Sequence, residues 1–319
     1  MPRQLRIEYE GAIYHLMNRG DRREDIIRSE ADRELWLKTL EEACLKCDWQ
    51  MHAYCLMRNH FHLVLETPCA NLVSGMKWFL GTYTIRFNAR HRLRGHLFAG
   101  RYKSLLVDNS DTSYLRVACD YVHLNPERAG LLQADRSLQE YKWSSYPAYL
   151  RAPAQRPAWL RTDRLLGEHG LAADDHRARL EFSRRMETAR RQANDPRPSD
   201  ALLRRGWRFG SDEFLARLLD RIEGKPNANH HARERRESAE AKAERIVAEM
   251  LVLLGLPEAE FLARAKCAPE KVRIAQRLRA ETTLTLQAIA QRLQMGTWTN
   301  LSKLLAQAQQ KENTFSPED

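Results

Sequence analysis

Along the first part of the chain the apolar positions switch between two periods, and the switches mark the elements. Residues 11–19 form a short apolar run that reads as a strand, ended by the polar stretch Gly20-Asp21-Arg22-Arg23. Ser29 followed by Asp32 has the form of a capping box. Trp36, Leu40, Cys44 and Cys47 then carry helical spacing as far as Lys46. Trp49 to Leu56 reads as a second strand, joined by a short turn to a third at Met57–Glu66. In that third strand alternation puts His60, His62 and Val64 on one face and Phe61, Leu63 and Leu65 on the other. A helix from about Asn71 to Ala89 aligns Leu72, Met76, Phe79, Tyr83 and Phe87, and Phe98 to Val107 forms a last strand. The order β-α-β-β-α-β is the ferredoxin-like one. A further helix, capped by Asp111 or Thr112, ends before Pro126, because the residue before proline avoids the α region. On that helix Tyr121 and Asn125, four apart, share a face.

Beyond residue 150 the pattern changes. Arg151 to Pro157 is linker-like, residues 160–194 read as charged helices, and Asn194 to Ser199 is another break. Ser211 to Ile222 is a short amphipathic helix, Gly224 to His231 a polar loop containing His230 and His231, and residues 232–245 an exposed helix of alternating charge. Glu270 to Arg279 is one helix, and Thr285 caps a second that carries Leu286, Ile289, Ala290 and Leu293. After a turn at Gln294-Met295-Gly296, Thr297 opens a third helix with Leu301, Leu304 and Leu305 facing inward. Trp298, Thr299, Asn300 and Lys303 then face outward. The expected architecture is α+β with an all-α C-terminal extension: a domain over 1–150, a helical extension over 151–231, a helical domain over 232–310 and a tail over 311–319.

Charge narrows the class of partner. The chain has 52 Lys and Arg against 42 Asp and Glu, a net +10, which suits a polyanion. From Thr67 to Val107 there is no acidic residue but seven basic ones: Lys77, Arg86, Arg90, Arg92, Arg94, Arg101 and Lys103. A merely solvated face mixes signs. Interleaved Trp78, Tyr83, Phe98 and Tyr102 offer stacking surfaces, the combination that suits single-stranded or distorted DNA. No apolar run is long enough to span a membrane and the first residues lack a secretory core, so a cytoplasmic, nucleoid-associated protein is expected. Cys44 and Cys47 fit the apolar stripe of their helix rather than a metal pair.

Two stretches carry candidate chemistry. His60 and His62 share a strand face and make a two-ligand platform for a divalent metal, unless they are ordinary strand histidines. Tyr121, one turn from the Asn125 amide, is either a nucleophile beside a ligand or a continuation of the apolar stripe of Tyr114, Val117 and Ala118.

Together these stretches resemble a family. His60-Phe61-His62 looks like the His-hydrophobe-His motif of the HUH endonucleases. Tyr121-Val122-His123-Leu124-Asn125-Pro126 is similar to the tyrosine helix of the single-tyrosine transposases, most closely their REP-associated branch. Tyr14 to Gly20, Gly100 to Ser104 and Trp143 to Tyr146 also match, in order and spacing, so the resemblance covers about the first 150 residues. It implies an HUH domain in which His60, His62 and Asn125 hold Mg²⁺ or Mn²⁺ and Tyr121 cleaves single-stranded or hairpin DNA through a 5′-phosphotyrosine. In related insertion-sequence transposases the ligand one turn after the tyrosine is often a Gln; Asn125 is shorter. Arg19, Arg86, Arg90, Arg92, Arg94, Arg101 and Lys103 are the DNA-contact candidates of this part. The C-terminal helix, glycine turn and helix resemble the helix-turn-helix of the replication initiator DnaA, which implies duplex contact through Trp298, Thr299, Asn300 and Lys303. A non-catalytic regulator binding repeated palindromic sites is the alternative. Monomer and dimer are both open.

Overall fold

The computed structural model describes residues 6–110, 112–133, 135–171, 173–192, 198–223 and 229–314. Its first elements are β1 (Ala12–Arg19), α1 (Glu30–Cys47), β2 (Gln50–Leu56), β3 (His60–Thr67), α2 (Leu72–His91) and β4 (Lys103–Val107), the ferredoxin-like order. The strands lie in the order β2-β3-β1-β4, with the two-residue β5 (Arg208–Phe209) parallel to β4 at the edge. The other pairings are antiparallel. β4 begins later than expected. Phe98 makes only an isolated bridge to Gly20, and Gly100 turns into the left-handed region at φ +55°, which ends any extended run there.

The local signals act as expected. The Ser29 side chain accepts the Asp32 N–H at 3.3 Å while the Asp32 carboxylate accepts the Ser29 N–H at 2.9 Å, closing the capping box of α1. The apolar face of β3 packs under α1 and α2: the Phe61 ring lies 5.4 Å from that of Trp36 and 6.0 Å from that of Phe79. The aligned residues Leu72, Met76, Phe79, Tyr83 and Phe87 of α2 are all buried. The opposite face of the sheet is covered by α3 (Thr112–His123), which packs on β2, β3 and β4 and is followed at once by the single turn α4 (Asn125–Arg128). Of the two residues expected to cap α3, Asp111 lies outside the described residues, as does the Thr112 side chain.

The chain divides into two units, one of residues 1–44 and 48–228, the other of residues 229–319 with Leu45–Cys47. The first unit continues through α5 (Tyr146–Tyr149), α6 (Asp163–Glu168), α7 (His176–Arg191), α8 (Pro198–Arg205) and α9 (Asp212–Glu223). Phe182 of α7 stacks on Tyr149 at 5.4 Å, so the tyrosines after α4 are packing residues. Residues 194–197 of the break expected at Asn194 to Ser199, and 224–228 of the loop expected at Gly224 to His231, fall outside the described residues.

The second unit is all-helical: α10 (Asn229–Leu254), α11 (Glu258–Ala263), α12 (Pro269–Glu281), α13 (Leu286–Arg292) and α14 (Trp298–Thr314). Ile246, Val247, Phe261, Ile274, Leu278, Ile289, Leu293 and Leu301 form its core. His230 and His231, expected in a loop, fall in the first turn of α10, because the Ala-, Glu- and Arg-rich run behind them favours helix. Thr285 caps α13 by accepting the Ala288 N–H at 3.2 Å. Gln294 (φ +52°) and Gly296 (φ +85°) take left-handed conformations in the turn before α14. Among the described residues no helix is long and apolar enough to cross a membrane.

Buried imidazoles make the first unit acid-sensitive. Burial lowers the pKa of His15 from 6.5 to about 4 and that of His123 from 6.5 to about 3. His52 is also lowered, by burial against a weaker opposing pull from Glu66. The unfolded chain therefore binds protons between pH about 6.5 and about 4 that the folded chain refuses. Stability should be full above the upper limit and fall as pH drops through this window. Urea midpoints at pH 7.5, 6 and 5 should decline in that order; equal midpoints would contradict the burial of neutral histidines.

Candidate active site

Strand register assembles the site. Cys55 on β2, His62 on β3, Met17 on β1 and Lys103 on β4 stand on one rung, and Arg19 is paired with His60 two rungs on, after Asn18 and Phe61. Directly paired residues project to one face. His60, His62, Met17, Arg19 and Lys103 therefore share the face that α3 covers. A cavity of about 550 Å³ opens there, lined by His60, His62, Tyr121 and Asn125, with Arg19, Arg101, Lys103 and Arg128 among its other walls. The four residues that the sequence marks for chemistry are thus brought together from β3, α3 and α4.

The Tyr121 ring meets the His62 ring edge-on, 6.0 Å between centroids, and lies 5.8 Å from the ring of His15. His60 and His62 are 5.3 Å apart, edge to face. His15, two residues from Met17 on β1, stacks on His62 and shares a hydrogen bond with it, Nε2 to Nδ1, at 3.1 Å. The Nδ1 of His60 is within 2.7 Å of the Asn59 side-chain oxygen. Burial, with Arg19 adding to it, lowers the His60 pKa to about 4. Burial also pushes His62 well down, helped by His15, His60, Arg19 and Arg128. Both imidazoles are neutral at pH 7, the form that can ligate a metal.

Asn125 is aimed by the turn after it. Pro126 occupies the first turn of α4, where its missing N–H is no loss, and the Asn125 carbonyl accepts the Ala129 N–H at 3.0 Å. Asn125 is 7% exposed and its side-chain NH₂ is buried with no hydrogen-bond partner. A buried amide whose polar end is incompletely satisfied is costly unless something else binds beside it. Two neutral imidazoles and an amide oxygen form a donor set that suits a divalent cation completed by phosphate or water oxygens. Among the described residues no three His, Cys, Asp or Glu side chains form such a group.

The basic candidates divide. Arg19, Arg101 and Lys103 are exposed and reach the cavity. Arg92 and Arg94 are exposed beyond the end of α2 and do not line it. Arg86 is held in a two-pronged pair with Glu42 at 2.9 Å, and Arg90 lies 3.3 Å from Asp32, so acids of α1 take up both. The stacking surfaces are largely absent. Tyr83 and Phe98 are buried in the core, and the Tyr102 ring is covered by the Arg6 guanidinium at 3.4 Å. Only Trp78 of that set is partly exposed. The α2 aromatics recur at helical spacing because they pack on the sheet.

Sequence reasoning missed Arg128. It lies two turns after Tyr121, a spacing that keeps one helix face, and its guanidinium sits over the Tyr121 ring at 4.5 Å. In the second unit Trp298 is 54% exposed, and Thr299 and Lys303 are exposed. Asn300 instead gives its side-chain N–H to the Met295 carbonyl at 3.0 Å.

The chain resembles a solved "Structure of the REP associates tyrosine transposase bound to a REP hairpin", with 14% identity and a TM-score of 0.39, over 46% of this chain and 84% of that one. No curated protein matches it. Residues 8–125, which are less than half of the chain but hold β1 to β4, His60, His62, Tyr121 and Asn125, match the family model described as "Transposase IS200 like".

Proposed function

We propose that the chain is a transposase-type endonuclease that cuts and rejoins single-stranded or hairpin DNA. The observation that carries this reading is the convergence of Tyr121, His60, His62 and Asn125 on one cavity with a cationic wall. The match of residues 8–125 to the IS200-like transposase family model supports it.

Tyr121 is the nucleophile. Its Oη bonds to the phosphorus as the bond to the 3′-oxygen breaks, leaving a 5′-phosphotyrosine and a free 3′-hydroxyl. The phenol proton is lost and the departing 3′-oxygen gains one, so neither water nor ATP is consumed. The phosphodiester energy stays in the tyrosyl ester for rejoining. His60, His62 and Asn125 would hold Mg²⁺ or Mn²⁺. When bound, that cation supplies Lewis-acid polarisation of a non-bridging phosphate oxygen. Arg19, Arg101 and Lys103 take the flanking phosphates. The second unit adds a duplex contact through α14, with Trp298, Thr299 and Lys303 at its face. In the cell this places the protein on the nucleoid.

The test of the nucleophile is Tyr121→Phe, which keeps the ring and removes one hydroxyl. On a denaturing gel with labelled single-stranded hairpins from the DNA flanking the gene, wild type should give a covalent protein–DNA band and Tyr121→Phe none, with hairpin binding near normal. A persistent band would move the nucleophile to another tyrosine, and no band with wild type would favour a non-catalytic regulator.

Replacing His60 or His62 by Ala should slow cleavage by about 10²–10³, the usual cost of removing one electrostatic stabiliser. The fold should survive for His60→Ala, since that side chain is only partly buried. Protein stripped with EDTA should be inactive and recover with Mg²⁺ or Mn²⁺; equal rates before and after stripping would remove the metal from the mechanism.

A chain ending at Ala228 should cut at the same position and bind duplex more weakly. Lys303→Ala should weaken duplex binding across sequences and reduce the salt slope by about one if that side chain meets a phosphate. Loss of strand cleavage in a folded truncation would show that the second unit takes part in the chemistry.

A further inference from the structure

Arg128 and Asp200 form a buried ion pair against the face of Tyr121. The Arg128 Nη2 lies 3.3 Å from both carboxylate oxygens of Asp200, and the two side chains are 8% and 12% exposed. Nη1 of the same guanidinium donates to the Tyr121 carbonyl at 3.3 Å, and its carbon stands 4.5 Å from the Tyr121 ring centroid. Arg128 also lines the cavity with His60, His62 and Asn125. Asp200 belongs to α8, far beyond the stretch that matches the family model.

A cation on a ring face is favoured by the ring's quadrupole, and more when both are desolvated. Its interaction with a phenolate is stronger still, because the negative charge spreads into the ring and little water screens it. Isolated burial of a guanidinium is costly, so a charged partner is needed to keep Arg128 there. Asp200 supplies that partner. The forked donors fix the guanidinium between the carboxylate on one side and the tyrosine on the other.

We propose that Arg128, clamped by Asp200 of α8, is the charge partner of Tyr121, so that the helical extension completes the active site. The proposal rests on Tyr121 being the nucleophile. In cleavage, Arg128 steadies the negative charge on the phenol oxygen as its proton leaves and the bond to phosphorus forms. In rejoining, the 3′-hydroxyl bonds to phosphorus, the bond to the tyrosyl oxygen breaks, and Arg128 steadies the departing phenolate until it regains a proton. Asp200 is a positioning residue: it touches neither substrate nor Tyr121 and acts through Arg128.

The test measures single-turnover covalent adduct formation at pH 7.5 in the full chain, with the labelled hairpins described above. Arg128→Gln should lower the rate by roughly 10- to 100-fold. Arg128→Lys, which keeps the charge, should recover most of that loss. Asp200→Asn should slow adduct formation by roughly tenfold, and Arg128→Gln/Asp200→Asn should be no slower than Arg128→Gln alone. Thermal melting of each variant separates these effects from loss of fold. Should Arg128→Gln fail to fold, Asp200→Asn decides: an unchanged rate overturns the proposal. A wild-type rate in a folded Arg128→Gln, or a folded Arg128→Lys no faster than Arg128→Gln, also overturns it and leaves the functional reading intact. No adduct with wild type overturns both.

Discussion

Eight residue pairs join Ala12–Arg19 to His60–Thr67, and the alternation of side chains across that ladder sets everything placed on the sheet. A slip of one residue would carry His60 and His62 into the space now filled by Phe61 and Leu63, and would bring those apolar groups to the cavity. Phe61 prevents the slip. It is fully buried between Trp36 and Phe79, and no polar neighbour in the strand could replace it without an unsatisfied group in the core. The hydrophobic effect on one face of β3 thereby aims the chemistry on the other; β1 keeps its rungs along the whole ladder, while β2 shifts register between Met51 and Ala53.

The same burial sets the electrostatics. His15, His60 and His62 are crowded together and their pKa values lie below their ordinary range, mainly because burial penalises the charged form. Cations at the cavity, Arg19 for His60 and Arg19 with Arg128 for His62, push in the same direction. A neutral imidazole pair inside a cationic wall is a consistent arrangement for a polyanionic substrate. The wall attracts phosphate without protonating the ligands that a metal would need. Among the described residues that line the cavity there is no carboxylate.

Much of this was legible in the sequence because it is local. Period-two alternation places His60 and His62, helical spacing places Tyr121 beside Asn125, and Ser29 with Asp32 marks the start of α1. What was not legible depends on partners far along the chain. Nothing near Arg86 or Arg90 shows that Glu42 and Asp32 of α1 would hold them, so an acid-free run read as a DNA surface is partly paired with acids of α1. The aromatics of that run misled for a related reason: Tyr83 obeys the period of the core and has no reason to face solvent. Phe98 was misplaced because a glycine two residues on takes a left-handed turn, and sequence gives the permission for that turn but not its occurrence.

The α3–α4 junction shows how a proline next to a candidate ligand can sharpen rather than blur a site. A helix carried straight through Pro126 would lose a backbone N–H and crowd the preceding turn. Here α3 ends at His123, Leu124 stays near helical geometry at φ −85° and ψ −2°, and a new turn opens with Asn125 and Pro126. Within that turn the Arg128 N–H reaches the Leu124 carbonyl at 3.1 Å and the Leu131 N–H reaches that of Pro126 at 2.9 Å. Asn125, Arg128 and Ala129 are spaced three and four apart and all reach the cavity. The rigid ring of Pro126 lowers the entropy that ordering this turn would otherwise cost. One turn of helix therefore holds both the amide beside the imidazoles and the guanidinium over Tyr121. The orientation of each is tied to the other through the backbone, so a change that loosens Pro126 acts on both groups at once.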